Sequence, residues 1–132
     1  AIDNEEIQIY GDGRQVRDLN YVDDVVDALL LAAVYDGANG CIFNLGNTPP
    51  VSLLEFVHTL LEVCQDFGVG KGGYRLVPFP PDKKRIDIGD YYADYSKVQK
   101  TLGWRPTVPL KEGLRRAVAY YIEYRDHYWG SS

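Results

Sequence analysis

Two arginines, Arg14 and Arg17, follow a turn in which glycines flank an aspartate, in the stretch YGDGRQVRDLNYVDD spanning Tyr10 to Asp24. A guanidinium can hold a phosphate or carboxylate by two parallel bonds, so the stretch raises an anion site. Residues three apart on an extended segment point to opposite sides, so the two arginines do not share one role. Arg17 opens an apolar run and could grip an anion at the edge of a cleft. The competing reading pairs it with Asp18 or a similar carboxylate to hold the fold. A second basic run, Lys83, Lys84 and Arg85, sits in a proline-bounded loop. Loops carry more than their share of ligand contacts, but such a run is also ordinary solvated surface. Eleven tyrosines stand in 132 residues. Tyr10, Tyr21, Tyr91, Tyr92 and Tyr95 flank the loops and offer planar faces to a base or sugar. Tyr120, Tyr121, Tyr124 and Tyr128 ride the last helix and read as core or partner surface.

Other chemistries find no support. The sequence has no G-x-x-x-x-G-K-[ST], H-E-x-x-H or G-x-S-x-G, and no tyrosine has a lysine four residues on. His58 and His127 read as ordinary surface or interface residues. Cys41 and Cys64 both lie in apolar patterns and read as buried free thiols, consistent with a reducing, cytoplasmic setting. Their spacing gives no metal site. A formal net charge of −5 argues against a nucleic-acid partner. No apolar run reaches the ~18 residues of a membrane span, so no membrane partner is expected. The opening AIDNEE has neither an initiator methionine nor a signal-peptide pattern, and reads as a cut or processed piece.

The elements that must position these residues read as α/β. Residues 6–10 and 17–22 alternate and are predicted to form a β-hairpin about the Gly11–Gly13 turn. From Asp23, a plausible cap, Val25, Val26, Leu29, Leu30, Ala33 and Val34 form one apolar face of a helix ending near Gly37. Residues 41–47, CIFNLGN, are predicted to be a buried strand. Ser52 and Glu55 are in capping-box register, and Val51 with Phe56 in staple register, for a helix to about Phe67. Residues 74–79 read as a strand stopped by prolines, residues 80–90 as a polar loop, and SKVQKTLG as a short helix ending at Gly103. The last helix starts near Pro109 with Leu110, Leu114, Ala117, Val118, Tyr121 and Ile122 inward. With 45% apolar and 25% charged residues, the chain is an ordinary globular composition. It has few buried parallel strands for a free-standing sheet, so part of the core is expected to come from elsewhere.

IQIYGDGRQVRDLNYVDDVVDALLLA, then FNLGN and PPVSLLEFV, then YADYSKVQKTLGWRPTVPLKEGLRRAVAYY resemble the C-terminal portion of extended short-chain dehydrogenases. These are the NAD-dependent nucleotide-sugar epimerases, 4,6-dehydratases and decarboxylases. The resemblance covers nearly the whole chain, with the blocks in the family's order. It implies that residues 1–132 are a single substrate-binding C-terminal region of a Rossmann-like α/β enzyme. The sheet would be incomplete, a hairpin followed by mixed strands and four helices. Gln8 and Tyr10 would lie beside the nucleotide base and Arg17 would contact the diphosphate. A second basic residue usually precedes the YAD motif. Register puts Lys84 there, the bidentate fork favours Arg85, and both are carried. Tyr91 falls where some relatives place a residue against the nucleotide-sugar. No catalytic or cofactor-binding residue is assigned to this chain. NAD and the Tyr-x-x-x-Lys pair would belong to an N-terminal part, and the piece alone is expected to be inactive. The implied partners are a nucleoside-diphosphate-sugar, that N-terminal domain, and, left open, a second copy in a homodimer. A 4-epimerase is the first reading, with dehydratase or decarboxylase as alternatives. A noncatalytic nucleotide- or protein-binding module, or a structural module using its tyrosine-rich helix, is the competing class.

Overall fold

The computed structural model describes residues 1–130, which divide into two compact units. The first unit comprises Ala1–Gln15, Ser52–Asp87 and the chain from Lys111 onward; the second comprises Val16–Val51 and Ile88–Leu110. The architecture is α/β with short, open strand pairs.

In the first unit, strand β1 (Ile7–Tyr10) alternates as its sequence requires. Ile7 and Ile9 pack toward Val57 and Leu61, which leaves Gln8 and Tyr10 together on the opposite face. The predicted hairpin is not formed. β1 pairs in parallel with a strand from Tyr74 to Val77, in register Ile7↔Tyr74 to Tyr10↔Val77. The reason lies in the turn that follows β1. The carbonyls of Gly13 and Gln15 accept the N–H groups of Leu54 and Leu53, so the returning chain is bound to a helix start rather than to β1. Gly13 has φ +71°, and a Cβ there would come within 3.2 Å of Ile9 Cγ2 and 3.3 Å of Leu54 Cβ. Only glycine lets the turn lie against the helix this closely.

The cap of that helix (Leu53–Asp66) is as predicted: Ser52 Oγ accepts the Glu55 N–H at 3.1 Å. Leu61, Val63 and Cys64 are buried along it, and burial pushes the Cys64 thiol pKa up. The helix Leu110–Glu123 packs here through Leu114, Val118 and Ile122. Lys111–Glu62 and Arg115–Asp66 ion pairs, at 3.1 and 2.7 Å, decorate the exposed seam. The polar loop expected at residues 80–90 contains one helical turn, Pro81–Lys84, because proline is preorganised for the first helical position. The last helix gives way at Tyr124 to a further short one, Arg125–Trp129.

In the second unit, Val16–Arg17 is a two-residue strand paired with the strand Val51–Ser52. The helix Val22–Val34 is entered from Tyr21 without a side-chain cap, so Asp23 is its second residue rather than its cap. It ends at Tyr35, and Gly37 lies in a 3₁₀ turn, Asp36–Ala38. The predicted apolar face is mostly outside: Val26, Leu29, Leu30 and Val34 are exposed, the last at 80%. The buried positions are Asp24 and Ala28, because the core is built on the Ala28 side, against Val98, Trp104, Phe43 and Leu45. Residues 41–47 form no strand; Ile42 is 82% exposed and Cys41 is also exposed, contrary to expectation. A carbonyl of this run, that of Ile42, is held by Lys97 Nζ at 2.9 Å, from the helix Ser96–Leu102. In chain order the helices are therefore α1 (22–34), α2 (53–66), α3 (81–84), α4 (96–102), α5 (110–123) and α6 (125–129). The strands are β1 (7–10), β2 (16–17), β3 (51–52) and β4 (74–77). Six helices, not four, are present among the described residues, the two additional ones being the short α3 and α6.

Asp24 is the anchor of this unit. It is 2% exposed, and its carboxylate accepts the Thr107 N–H at 3.1 Å, the Thr107 hydroxyl at 2.6 Å and the Val108 N–H at 3.0 Å. Its backbone carbonyl accepts the Trp104 indole N–H at 2.7 Å. Removing the carboxylate would leave two backbone donors without it in a low-dielectric site, whereas removing the Ser52 cap strands a donor near solvent. Asp24→Ala is therefore expected to lower unfolding stability by about 3 kcal/mol. Ser52→Ala should cost about 1 kcal/mol. Urea unfolding monitored by circular dichroism checks both, and equal midpoint shifts would contradict the ranking.

Candidate functional site

The candidate residues fall in both units: Gln8, Tyr10, Lys84 and Arg85 in the first, Arg17 and Tyr91 in the second. On the first unit, β1 presents Gln8 and Tyr10 on one face. The Tyr10 ring packs against Phe79, centroids 5.6 Å apart and planes tilted by 42°. The basic group that reaches Tyr10 is not Lys84 or Arg85 but Lys83, whose Nζ donates to the Tyr10 hydroxyl at 3.1 Å and sits 4.7 Å from the ring centroid. Consecutive helical residues are ~100° apart about the axis, so Lys83, Lys84 and Arg85 radiate in different directions. Lys84 and Arg85 are exposed; their backbone N–H groups close the α3 turn onto Pro80 and Pro81 carbonyls. Sequence reasoning passed over Lys83 because its partner lies 73 residues away.

On the second unit, residues 16–18 are fastened to residues 89–93 bond by bond. The Val16 N–H donates to Asp90 Oδ1 at 2.8 Å, and the Val16 carbonyl accepts the Tyr91 N–H at 3.0 Å. Arg17 and Tyr91 form a parallel β-bridge. Arg17 Nη1 donates to the Val16 carbonyl at 2.8 Å and to the Gly89 carbonyl. Asp18 Oδ2 accepts the Ala93 N–H at 2.8 Å. Arg17 thus does hold the fold, through backbone carbonyls. Tyr91 has its backbone in the bridge and its side chain half exposed. Gly46 lies under the same segment: a Cβ there would come within 2.8 Å of both the Ala93 carbonyl and Asp18 Oδ2. Arg14 is paired with its turn neighbour Asp12 at 3.7 Å on the exposed surface.

Dinucleotides are held by free backbone N–H groups where a glycine-rich loop opens a helix. Neither the start of α2 nor that of α1 offers this arrangement, and the glycine loop at residues 68–73 follows α2 and leads into β4 rather than opening a helix. The first N–H groups of α2 are spent on Gln15, Gly13 and Ser52, and the glycine turn is filled by Leu54 and Phe79 side chains. The first turn of α1 carries Asp23 and Asp24, the wrong sign for a pyrophosphate. Among the described residues no cluster of His, Cys, Asp or Glu is placed to hold a metal ion. No described helix is long and apolar enough to cross a membrane.

The Tyr10 hydroxyl raises the Lys83 pKa above the ordinary 10.5, by hydrogen bonding and then by charge interaction. A raised folded-state value means that the contact contributes fully below pH 10.5 and is lost as pH rises through the folded value. Nitrogen-15 titration of the lysine side chains should place the Lys83 midpoint above 10.5, and Tyr10→Phe should bring it back toward 10.5. An unchanged Lys83 titration in that variant would rule the contact out.

The family model described as GDP-mannose 4,6 dehydratase matches residues 1–117. The chain is 35% identical over 120 residues to a dTDP-glucose 4,6-dehydratase of Actinoplanes sp., covering 91% of this chain and 35% of that protein. It is 30% identical over 131 residues to UDP-glucuronic acid decarboxylase 1 of Xenopus tropicalis, covering 96% and 28%. Its fold matches a UDP-glucose 4-epimerase of Thermotoga maritima solved with UDP-glucose, with TM-score 0.75 and 34% identity over 92% of this chain and 36% of that one. The chain spans about a third of the length of these relatives. With most of its length inside that family model, this chain belongs to the GDP-mannose 4,6 dehydratase family, among the NAD-dependent nucleotide-sugar epimerases and dehydratases.

Proposed function

We propose that this chain is the substrate-binding portion of an NAD-dependent nucleotide-sugar enzyme, in which it holds the nucleoside diphosphate while another part of the protein holds NAD and acts on the sugar. What carries the reading is Arg17: a guanidinium in the family's VRD motif, set on a two-residue strand and braced by backbone carbonyls. A braced arginine is preorganised, so less side-chain entropy is lost when an anion binds. Arg17 is the diphosphate residue, Gln8 and Tyr10 are the base-side residues, and Lys84 or Arg85 supplies a second charge. Tyr91 is the residue toward the nucleotide-sugar. Binding energy collected at the nucleotide then serves to orient the reacting sugar carbon.

Among the reactions, a nucleoside-diphosphate-sugar 4-epimerase is our first reading, with 4,6-dehydratase and decarboxylase as alternatives. The relatives above include all three chemistries. Incubating the intact protein with NAD and a panel of nucleotide-sugars separates them by product. An epimer retains mass, a dehydratase product loses water, and a decarboxylase releases carbon dioxide. The residue assignment has its own test. Arg17→Ala in the intact protein should weaken nucleotide-sugar binding by roughly 10–100-fold and leave NAD affinity nearly unchanged. Arg17→Lys should recover part of the loss, since charge returns without the fork. Equal loss of both ligands, or loss of neither, in calorimetric titrations would refute the assignment.

A further inference from the structure

We propose that Lys83 sets the Tyr10 hydroxyl as a hydrogen-bond donor, and thereby selects a nucleobase that presents a keto oxygen over one that presents an amino group. This rests on the reading of Tyr10 as a base-side residue. The geometry supplies the rest. Lys83 Nζ lies 3.1 Å from the Tyr10 hydroxyl oxygen. An ammonium can only donate, so that oxygen is the acceptor and its own proton is turned elsewhere. A hydroxyl facing a ligand alone rotates to donate or accept as required. Here the lysine occupies one acceptor position and biases that choice toward donation.

Both partners are held by the backbone beneath them. Tyr10 ends a strand, packs its ring on Phe79 at 5.6 Å, and has its carbonyl bound by Gln15 Nε2 at 3.3 Å. Lys83 stands on a helical turn that starts at Pro81, after Pro80, where two fixed φ angles limit its wandering. The hydroxyl proton therefore points from a defined place. A keto oxygen meets it as acceptor to donor. An exocyclic amino group would set donor against donor and leave the proton unpaired. Lys83 acts through Tyr10, so it is a positioning residue, and it departs from Lys84 and Arg85, the two basic residues read as candidates from sequence.

UDP and CDP provide the test, because they share ribose and diphosphate and differ only along one edge of the base, keto O4 with N3–H in uracil against amino N4 with bare N3 in cytosine. Charge changes at position 83 alter both affinities alike and cancel in their ratio. Isothermal titration of the intact protein should give a UDP-over-CDP preference of about tenfold, the size of one hydrogen bond. Lys83→Arg, still donor-only, should keep that preference. Lys83→Met and Tyr10→Phe should reduce it toward unity. Lys83→Glu should reverse it, because the carboxylate takes the phenolic proton and leaves the oxygen to accept from an amino group. An unaltered ratio in Lys83→Met and Lys83→Glu, or no preference in the parent protein, would overturn the proposal while leaving nucleotide binding intact. Absence of binding by either nucleotide would overturn it together with the reading on which it rests.

Discussion

Backbone N–H and C=O groups that leave water must find partners, and this chain meets that demand with little sheet. Among the described residues none of the four strands exceeds four residues, so ladder bonds cannot satisfy the long connections. Short polar side chains supply the missing acceptors. Asp18 takes the N–H of Ala93, Asp90 that of Val16, Asp24 those of Thr107 and Val108, and Asn4 that of Lys71. Asp12, Asp94 and Ser52 do the same locally for Arg14, Ser96 and Glu55. A carboxylate accepting backbone N–H groups is a strong, charge-assisted partner. Much of the acidic surplus is thus structural, and the candidate anion residues are placed by acidic neighbours rather than by a basic surface.

The same economy holds Arg17 in place. Its neighbours Val16 and Asp18 are pinned to residues 89–93, and Arg17 itself binds the Gly89 and Val16 carbonyls. A carbonyl that accepts from a guanidinium leaves its positive charge in place. Lys83 illustrates the related point for the other unit, where a phenol braces an ammonium and leaves it charged.

Packing divides between separate cores. In the first unit Ile9, Val57 and Leu61 form one cluster, and Val63, Cys64 and Val118 another. In the second, Ala28, Val98 and Trp104 form the centre, with Tyr95 edge-on to Trp104 at 6.0 Å. Leu29, Leu30 and Val34 of α1 lie outside these clusters and exposed, as do Tyr120, Tyr121, Tyr124 and Tyr128, which stack on one another at the surface. The tyrosines of the last helix are thus a surface feature more than a core one.

Local signals were legible wherever the physics is local. The Ser52 cap, the alternation of Ile7 and Ile9, the prolines stopping β4 and the glycine ending α4 all depend on residues a few positions apart, and all read correctly. So did the family motifs, which are contiguous strings. Partnerships over long separations were not legible. The alternation at 17–22 suited a hairpin, yet the carbonyls of the turn were claimed by α2. The periodicity of α1 identified an apolar side but could not say which side would meet the core, and Asp24 was buried in its place. Residues 41–47 had strand composition but no partner strand beside them. The Lys83–Tyr10 and Arg17–Gly89 contacts join residues more than seventy positions apart. Sequence determines what each side chain can donate, accept or bury; which partner it meets follows from chain entropy, competition for backbone groups and the surface left uncovered, and these are settled only when the whole chain packs.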